Sequence, residues 1–443
     1  MRRLALPAIL HSLLQTLVFV VDRVMLGRHG ETSLAAMQLG GALEWSIWSI
    51  FAAFEVGTIA RVGRHVGAKD HAAARRAAWL SLGLAAGIGS VLSLMTPLLL
   101  AGLPLVTKQV SGEALAEARG YLGVTIAASP IVFVATIGIA TLQAGGDTRT
   151  PLAIGIAANV VHVGLNRVLI LGAAGIPAMG ARGAGISTAV TFALEAALAM
   201  LALASTSRDV SLRRRANEEP MDRRGAREEL GLLSRIALPA LAERVLYHVG
   251  YLGWVFVIAR LGDAAMAANQ ALISIESICF LSGDGFGIAA AALVAQKLGA
   301  DEPETARRVA RIAAVDALVV LSVFGVSAFL LRDVVLPVFT KHDDVLAIGR
   351  TTMWVLMAAQ PFMAVGIVLA QSLRGAGRTR EALRVSVTGA VLVRLSFTWL
   401  FAIVLGLGLP GVWMGSTADW IVRSVLLARA WANPKASSAR VGA

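Results

Sequence analysis

The sequence predicts an all-α integral membrane protein, with twelve transmembrane helices in two parallel-repeat six-helix lobes. Three observations carry this expectation. First, 57% of the 443 residues are hydrophobic and 15% are charged, where a soluble domain has about 25% charged. Second, apolar windows of about 20 residues, long enough to cross a bilayer, recur along the chain. Third, the second half repeats the first at a constant spacing. This composition excludes a disordered chain, a coiled coil and an ordinary soluble enzyme.

The windows fall at 4–26, 34–60, 77–104, 119–143, 150–172 and 183–205, then at 236–260, 266–296, 309–333, 349–373, 384–406 and 410–431. The first follows Met1-Arg2-Arg3 and imitates a signal peptide. No small-x-small cleavage site follows, and Asp22 and Arg23 interrupt its end, so an uncleaved first helix is expected. The stretch 206–235 breaks the pattern with Arg213-Arg214-Arg215, Glu218-Glu219-Pro220 and Arg223-Arg224. It reads as an Arg-rich cytoplasmic linker between an N-terminal lobe (1–205) and a C-terminal lobe (236–431), with 432–443 as a cytoplasmic tail.

Charge gives the orientation. With the N-terminus inside, the inner loops and tails hold roughly 27 of the 40 Lys and Arg. Both termini are therefore expected in the cytoplasm. The net charge of +12 is read as inner loops facing anionic lipid rather than as nucleic-acid binding. Cys279 stands alone, so no intrachain disulfide can form. There is no phosphate-loop motif and no zinc-ligand spacing.

The repeat is specific. Leu4-Ala5-Leu6-Pro7-Ala8 returns as Ile236-Ala237-Leu238-Pro239-Ala240. Gln38 matches Gln270, Glu44 matches Glu276, Gly67-Ala68 matches Gly299-Ala300, and Arg75-Arg76 matches Arg307-Arg308, all at one and the same spacing. Gly146-x-Thr148-Arg149 matches Gly377-x-Thr379-Arg380 at a spacing shorter by a single position. Six helices per copy leave both copies in the same orientation, related by an axis along the membrane normal. That is the architecture of an alternating-access carrier with a cavity between its lobes.

At these residues the chain resembles the MATE (multidrug and toxic compound extrusion) family, in its bacterial NorM/DinF-like branches. The motifs are Leu6-Pro7, Val21-Asp22-Arg23-Val24-Met25-Leu26-Gly27, Leu142-Gln143-Ala144-Gly145-Gly146-Asp147-Thr148-Arg149-Thr150-Pro151, Gly180-Ala181-Arg182-Gly183-Ala184-Gly185-Ile186-Ser187-Thr188, Leu293-Val294-Ala295-Gln296-Lys297-Leu298-Gly299-Ala300 and Leu373-Arg374-Gly375-Ala376-Gly377-Arg378-Thr379. The resemblance implies multidrug efflux: export of amphiphilic or cationic compounds in exchange for protons or sodium, with no cofactor beyond that coupling ion. It also implies an aspartate at Asp22 engaged in cation coupling, although Arg23 stands where the family has a small polar residue. The acids of the NorM-like sodium site fall on Tyr247 and Met363, and the Asn-x-x-x-Asp of another branch falls on His162 and Asn166.

An ionisable group at membrane depth costs several kcal/mol unless paired or wet, so each needs an account. Asp22 is expected either to hold a proton or cation or to form a structural ion pair. Asn166 and Thr188 are candidate neutral ligands beside it, or interhelical polar contacts. Glu243 is a candidate second-lobe coupling acid, or an interfacial partner of Arg244. Candidate cavity residues are the repeat-matched Glu44 and Glu276, the deeper Glu55 and Asp284, and the aromatic residues Trp48, Tyr247 and Tyr251. Trp45, Phe51 and Phe54 continue the Trp48 stripe, which also suits a lipid- or core-facing role. Asp419 and Arg423, four apart, are expected to neutralise each other. Asp316, Glu195 and Arg394 show no partner in sequence, and His11, His162 and His248 are expected as packing residues that can titrate. Trp413, Trp420 and Trp431 are read as interfacial anchors.

The function expected is secondary active efflux by a monomer in the bacterial cytoplasmic (inner) membrane, its partners being a small-molecule amphiphilic substrate and membrane lipid. The alternative is a flippase for a lipid-linked precursor or anionic amphiphile, served by Arg167, Arg244 and Arg394. A membrane enzyme needs clustered catalytic groups, and the sequence shows none.

Overall fold

Helix occupies every one of the twelve apolar windows. The computed structural model describes residues 2–106, 112–173, 175–205, 209–213 and 223–432. In order, its helices are α1 (Arg2–His29), α2 (Glu31–Phe51), α3 (Ala53–Gly67), α4 (His71–Leu94), α5 (Thr96–Val106), α6 (Gly112–Ala127), α7 (Ser129–Ala144), α8 (Arg149–Leu169) and α9 (Gly180–Leu203). There follow α10 (Arg223–Ala259), α11 (Asp263–Gly299), α12 (Pro303–Leu330), α13 (Arg332–Val335), α14 (Asp343–Gly375), α15 (Thr379–Ser386), α16 (Arg394–Trp399) and α17 (Gly408–Ala432). Among the described residues there is no strand, only an isolated bridge between Ala173 and Ile176.

Eight of these helical stretches are long and apolar enough to cross a membrane singly, and α6 with α7 makes a ninth, bent by 54°. The bend falls at Ala128, just before Pro130, whose missing N–H and ring interrupt the helical ladder. The remaining windows are broken pairs, such as α2–α3, or carry buried polar residues, such as Asp22 in α1 and Asp419 in α17.

The chain clusters into two compact units, 10–233 and 1–9 with 234–443. In the unit formed by 10–233, Leu26, Met37, Tyr121, Leu122 and Ile170 pack one core cluster, while Val62, Ala77, Leu142, Ile154 and Leu203 belong to a second. The other unit packs an alanine seam, Ala289, Ala290, Ala313, Ala317 and Ala364, where α11, α12 and α14 meet. Small side chains let helix backbones approach closely.

The repeat reaches the backbone. The turn after α3 places Lys69 at φ 58°, and the turn after α11 places its repeat partner Asp301 at the same φ. Gly146 and Gly377 likewise take φ 84° and 78°. Asp70 then caps α4 by accepting from the Ala73 N–H at 2.8 Å. Its counterpart Glu302 accepts instead from Lys297 Nζ at 3.0 Å, which draws that exposed carboxyl below its ordinary range.

The stretch expected as a linker is partly built into the first unit. Arg75 Nε donates to Ser211 O at 2.9 Å, Trp79 Nε1 donates to Leu212 O at 3.1 Å, and His71 Nδ1 lies 2.8 Å from Asp209 O. Helix α10 starts at Arg223, and Arg61 donates to both oxygens of Glu229 at 2.8 and 2.6 Å, with His65 Nε2 3.6 Å away. The Arg213–Arg215 and Glu218–Pro220 runs lie outside the described residues from 214 on.

Removing Glu229 strands the Arg61 guanidinium. Glu229→Ala is expected to lower stability by about 1–3 kcal/mol. Glu228→Ala, at an exposed neighbour, is expected to stay within about 0.5 kcal/mol. Thermal unfolding of the detergent-purified protein reads both.

Candidate functional site

The first unit gathers a polar cluster where α1, α8 and α9 meet. His162 and Asn166 lie one turn apart on one face of α8, and Ser187 and Thr191 do the same on α9. The two helices come together at Gly183, where an added Cβ would fall 2.5 Å from Leu169 O. Asp22, near the end of α1, turns its carboxylate into this seam while its neighbour Arg23 is exposed.

Asp22 is buried, at 1% exposure, and His162 and Asn166 are fully buried. Its Oδ1 lies 2.6 Å from His162 Nε2 and accepts from Asn166 Nδ2, also at 2.6 Å. Asn166 Nδ2 is 3.0 Å from His162 Nε2. On the other edge of the imidazole, Nδ1 lies 3.1 Å from Thr191 Oγ1 and 3.2 Å from Ser187 Oγ. Thr191 donates to Ser187 O at 2.7 Å, and Ser187 Oγ is also within 3.2 Å of His162 O. Two buried atoms beside the cluster, Asn166 Oδ1 and Thr188 Oγ1, make no hydrogen bond among the described residues. Glu44 of α2 accepts from the Tyr121 hydroxyl of α6 and lies within electrostatic reach of Asp22.

The structure therefore brings Asp22 and Asn166 together, with Thr188 on α9 next to Ser187 in sequence. The connection that sequence reading missed is His162 to Asp22, across 140 residues. Part of the aromatic stripe of α2 turns into its own unit, while Trp45 is exposed. Trp48 meets Phe192 edge-on at 5.0 Å, and Phe51 stacks on Phe133 at 3.5 Å. Glu55 is half-buried in the first turn of α3.

The second unit treats its charges differently. Glu243 is buried and clamped by Arg374, whose Nη2 and Nε donate at 2.5 and 3.2 Å, and it accepts from Ser386 at 2.5 Å. Asp419 is fully buried between two guanidiniums. Arg423 Nε donates at 2.5 Å, and Arg394 Nε donates at 2.9 Å. Arg394 is thus the partner that sequence did not reveal. The Arg394 guanidinium lies 5.8 Å from the Tyr247 ring centroid and within electrostatic reach of Glu276. A Cβ at Gly389, in the π-helical turns Val387–Val393, would collide with Asp419 Oδ1 and Arg423, so this cluster needs glycine there. Asp284 accepts from Gln371 Nε2 at 2.6 Å, and Tyr251 stacks on Trp254 at 5.8 Å. Two tryptophans read as interfacial anchors are instead core residues. Trp413 is buried with its indole N–H on Asn269 Oδ1, and buried Trp420 stacks under the Arg423 guanidinium.

The two clusters occupy matching places in the repeat. At the spacing that relates Glu44 to Glu276, His162 falls on Arg394; α9 and α17, which open on the left-handed Gly180 and Gly408, set Thr191 against Asp419 and Glu195 against Arg423. Known proteins repeat the same division. The MatE family model matches residues 7–168 and again 239–400, the two matches separated by that same spacing. The chain belongs to the MATE family. Among relatives of this MATE protein, a Thermotoga maritima protein described as "Probable multidrug resistance protein NorM" is 26% identical over 96% of this chain and 90% of its own. A Bradyrhizobium diazoefficiens protein of the same description is 29% identical over 96% and 91%. Among solved structures, an outward-facing MATE transporter of the MOP superfamily superposes with a TM-score of 0.84 at 20% identity, covering 96% of this chain and 92% of its own. A mutant of the Vibrio cholerae MATE transporter VcmN gives 0.87 at 18% identity, covering 97% and 95%. A Pyrococcus furiosus MOP superfamily transporter, whose reversed binding-pocket polarity is held to suggest a different function, gives 0.83 at 21% identity, covering 97% and 96%. The fold is thus that of MATE transporters, twelve helices in two lobes, and the protein is a multi-pass membrane transporter rather than an enzyme.

The two buried aspartates should respond to substitution to very different degrees. Asp419→Ala leaves two guanidiniums uncompensated and is expected to cost about 3–5 kcal/mol. Asp22→Asn keeps an oxygen that accepts from Asn166 and is expected to cost under about 1 kcal/mol. Thermal unfolding in detergent compares them directly.

Proposed function

We propose that this MATE protein is a proton-driven antiporter that exports small amphiphilic cations by alternating access, with Asp22 at its coupling site. The observation that carries the reading is a buried carboxylate surrounded by a histidine, an amide and hydroxyls, with no guanidinium hydrogen-bonded to it among the described residues. Buried charge held this way, rather than locked in an ion pair, is free to exchange one cation for another. When the site carries its negative charge it attracts a cationic substrate. When a proton arrives from outside, that charge is gone and the substrate is released. A tenfold difference in affinity between these states corresponds to about 1.4 kcal/mol.

The donor set favours the proton over sodium. A hard cation is held by oxygen ligands. Here Oδ1 of Asp22 already faces two nitrogens at 2.6 Å, so that oxygen is engaged in hydrogen bonding rather than open to a metal ion. The protein is read as a monomer in the bacterial inner membrane, both termini cytoplasmic. The balance of Lys and Arg between alternate loops supports that orientation.

A second reading has its own observation. In the other unit, Asp419 is shared by two buried guanidiniums, Arg394 and Arg423, with Glu276 also within electrostatic reach, a basic cluster that suits an anionic head group.

Everted membrane vesicles separate the two. Ethidium quenching is expected under an imposed proton gradient, unchanged by sodium, and reduced at least tenfold in Asp22→Asn. Transport of equal rate in Asp22→Asn, with the gradient still required, overturns the assignment to Asp22. Absence of ethidium movement with folded wild-type protein favours anionic cargo.

A further inference from the structure

The heavy atoms around His162 satisfy two different charge states of the imidazole. In the first, the ring is neutral with its proton on Nε2. That N–H donates to Asp22 at 2.6 Å, and the bare Nδ1 accepts from the Ser187 hydroxyl at 3.2 Å. In the second, Nδ1 is protonated as well. Its N–H then points at Thr191 Oγ1, 3.1 Å away. The Thr191 proton is already given to Ser187 O, so a lone pair of Oγ1 is available to accept. The Ser187 hydroxyl, displaced from Nδ1, finds His162 O at the same 3.2 Å. Neither state strands a buried donor or acceptor of the ring, and only a hydroxyl rotation separates them. A histidine with a purely structural role needs one such arrangement.

The repeat gives an independent argument. At the matching place in the second unit stands Arg394, a group that does not deprotonate in proteins, bound to Asp419. Where one copy of the duplicated fold has a permanent cation, the other has the one side chain whose ordinary titration range spans neutral pH.

We propose that His162 carries the coupling proton on Nδ1, with Asp22 as its fixed counter-ion and Ser187 as the hydroxyl that changes partner. The inference rests on the proton-driven reading of the site and names the atom that holds the proton. On loading, hydronium from the outer face gives its proton to the Nδ1 lone pair, an N–H bond forms and water is left. On the inner face that proton passes to water. The Asp22 carboxylate stays ionised throughout, and the net charge of the pair moves between −1 and 0.

Other ionisable groups border the pair. Glu44, paired with Tyr121, adds negative potential from α2 when ionised, and Tyr121 stands on α6. On α1, His11 is buried nearer the start of the helix and Arg23 is exposed; on α8, Arg167 is exposed; on α9, Glu195 is buried one turn beyond Thr191. A titration assigned to His162 must therefore be read at its own nitrogen.

The test is 15N-histidine NMR of the protein in lipid nanodiscs, with the His162 signals identified as those missing from His162→Asn. Nδ1 is expected to be bare in one charge state and protonated in the other as the proton concentration is raised, with the same behaviour in sodium and potassium chloride. Asp22→Asn removes the counter-ion and is expected to leave Nδ1 bare where the wild type protonates it. In parallel, ethidium affinity is measured across the same range. It is expected to weaken about tenfold or more on acidification of the wild type, and to be nearly flat in His162→Asn and His162→Gln. The signals of the other histidines report that each variant is folded. Nδ1 held in one protonation state throughout, or wild-type pH dependence of affinity in both His162 variants, overturns the proposal. A normal Nδ1 titration in a protein that binds no ethidium refutes the cationic cargo and leaves the proton site standing.

Discussion

A charge inside a membrane protein must be paired, hydrated or removed by a proton, and the interior of this chain is organised around that constraint. Each unit buries carboxylates among helices, and each solves the problem with a different chemistry. Glu243 and Asp419 are answered by guanidiniums and become fixed parts of the scaffold. Asp22 is answered by an imidazole and an amide, which support its charge without cancelling it permanently. Removing one partner of a buried guanidinium pair breaks packing, whereas changing the proton count at an imidazole changes charge alone.

Duplication explains why the contrast falls where it does. Two copies of a six-helix unit start with equivalent seams between their fifth and sixth windows. In one copy the seam holds His162 and Thr191; in the other, the equivalent positions hold Arg394 and Asp419. The π-helical turns at Val387–Val393 and the glycine at Gly389 make room for the bulkier ionic cluster. Glu44 and Glu276 diverge in the same way: one faces a tyrosine hydroxyl, the other the field of Arg394.

Much of this was legible in the chain. Apolar windows gave the helices because hydropathy over about 20 residues is a local property. The repeat gave the division into halves because its motifs sit at turns, where Gly146 and Gly377 take the same left-handed backbone. Asp22 was reached through a motif. His162 as its partner was not, because nothing local links α1 to a residue 140 positions away. A signal did exist: polar residues four apart on both α8 and α9 make matched polar faces in otherwise apolar spans, and carrying the repeat spacing through them would have set His162 against Arg394. The tryptophans were misread because interfacial and core tryptophans look alike in sequence. What distinguishes Trp413 and Trp420 is Asn269 and Arg423, groups that only the fold brings to them. The charged linker looked solvated for a similar reason, since Arg61 and Glu229 are 168 positions apart.

The physics of the site also bears on why export and proton entry would be obligatorily linked. In the proposed exchange, a proton or a monovalent organic cation aboard would bring the Asp22–His162 pair and its occupant to zero net charge. Empty, the pair carries a net charge of −1. Sealing an uncompensated charge away from water costs several kcal/mol even after relaxation, so the empty, deprotonated site resists being carried across in an occluded state. The filled states do not incur that cost. For the exchange proposed above, the same burial that makes Asp22 costly to leave alone would make either cation its condition of passage and so suppress a leak of uncoupled cycles.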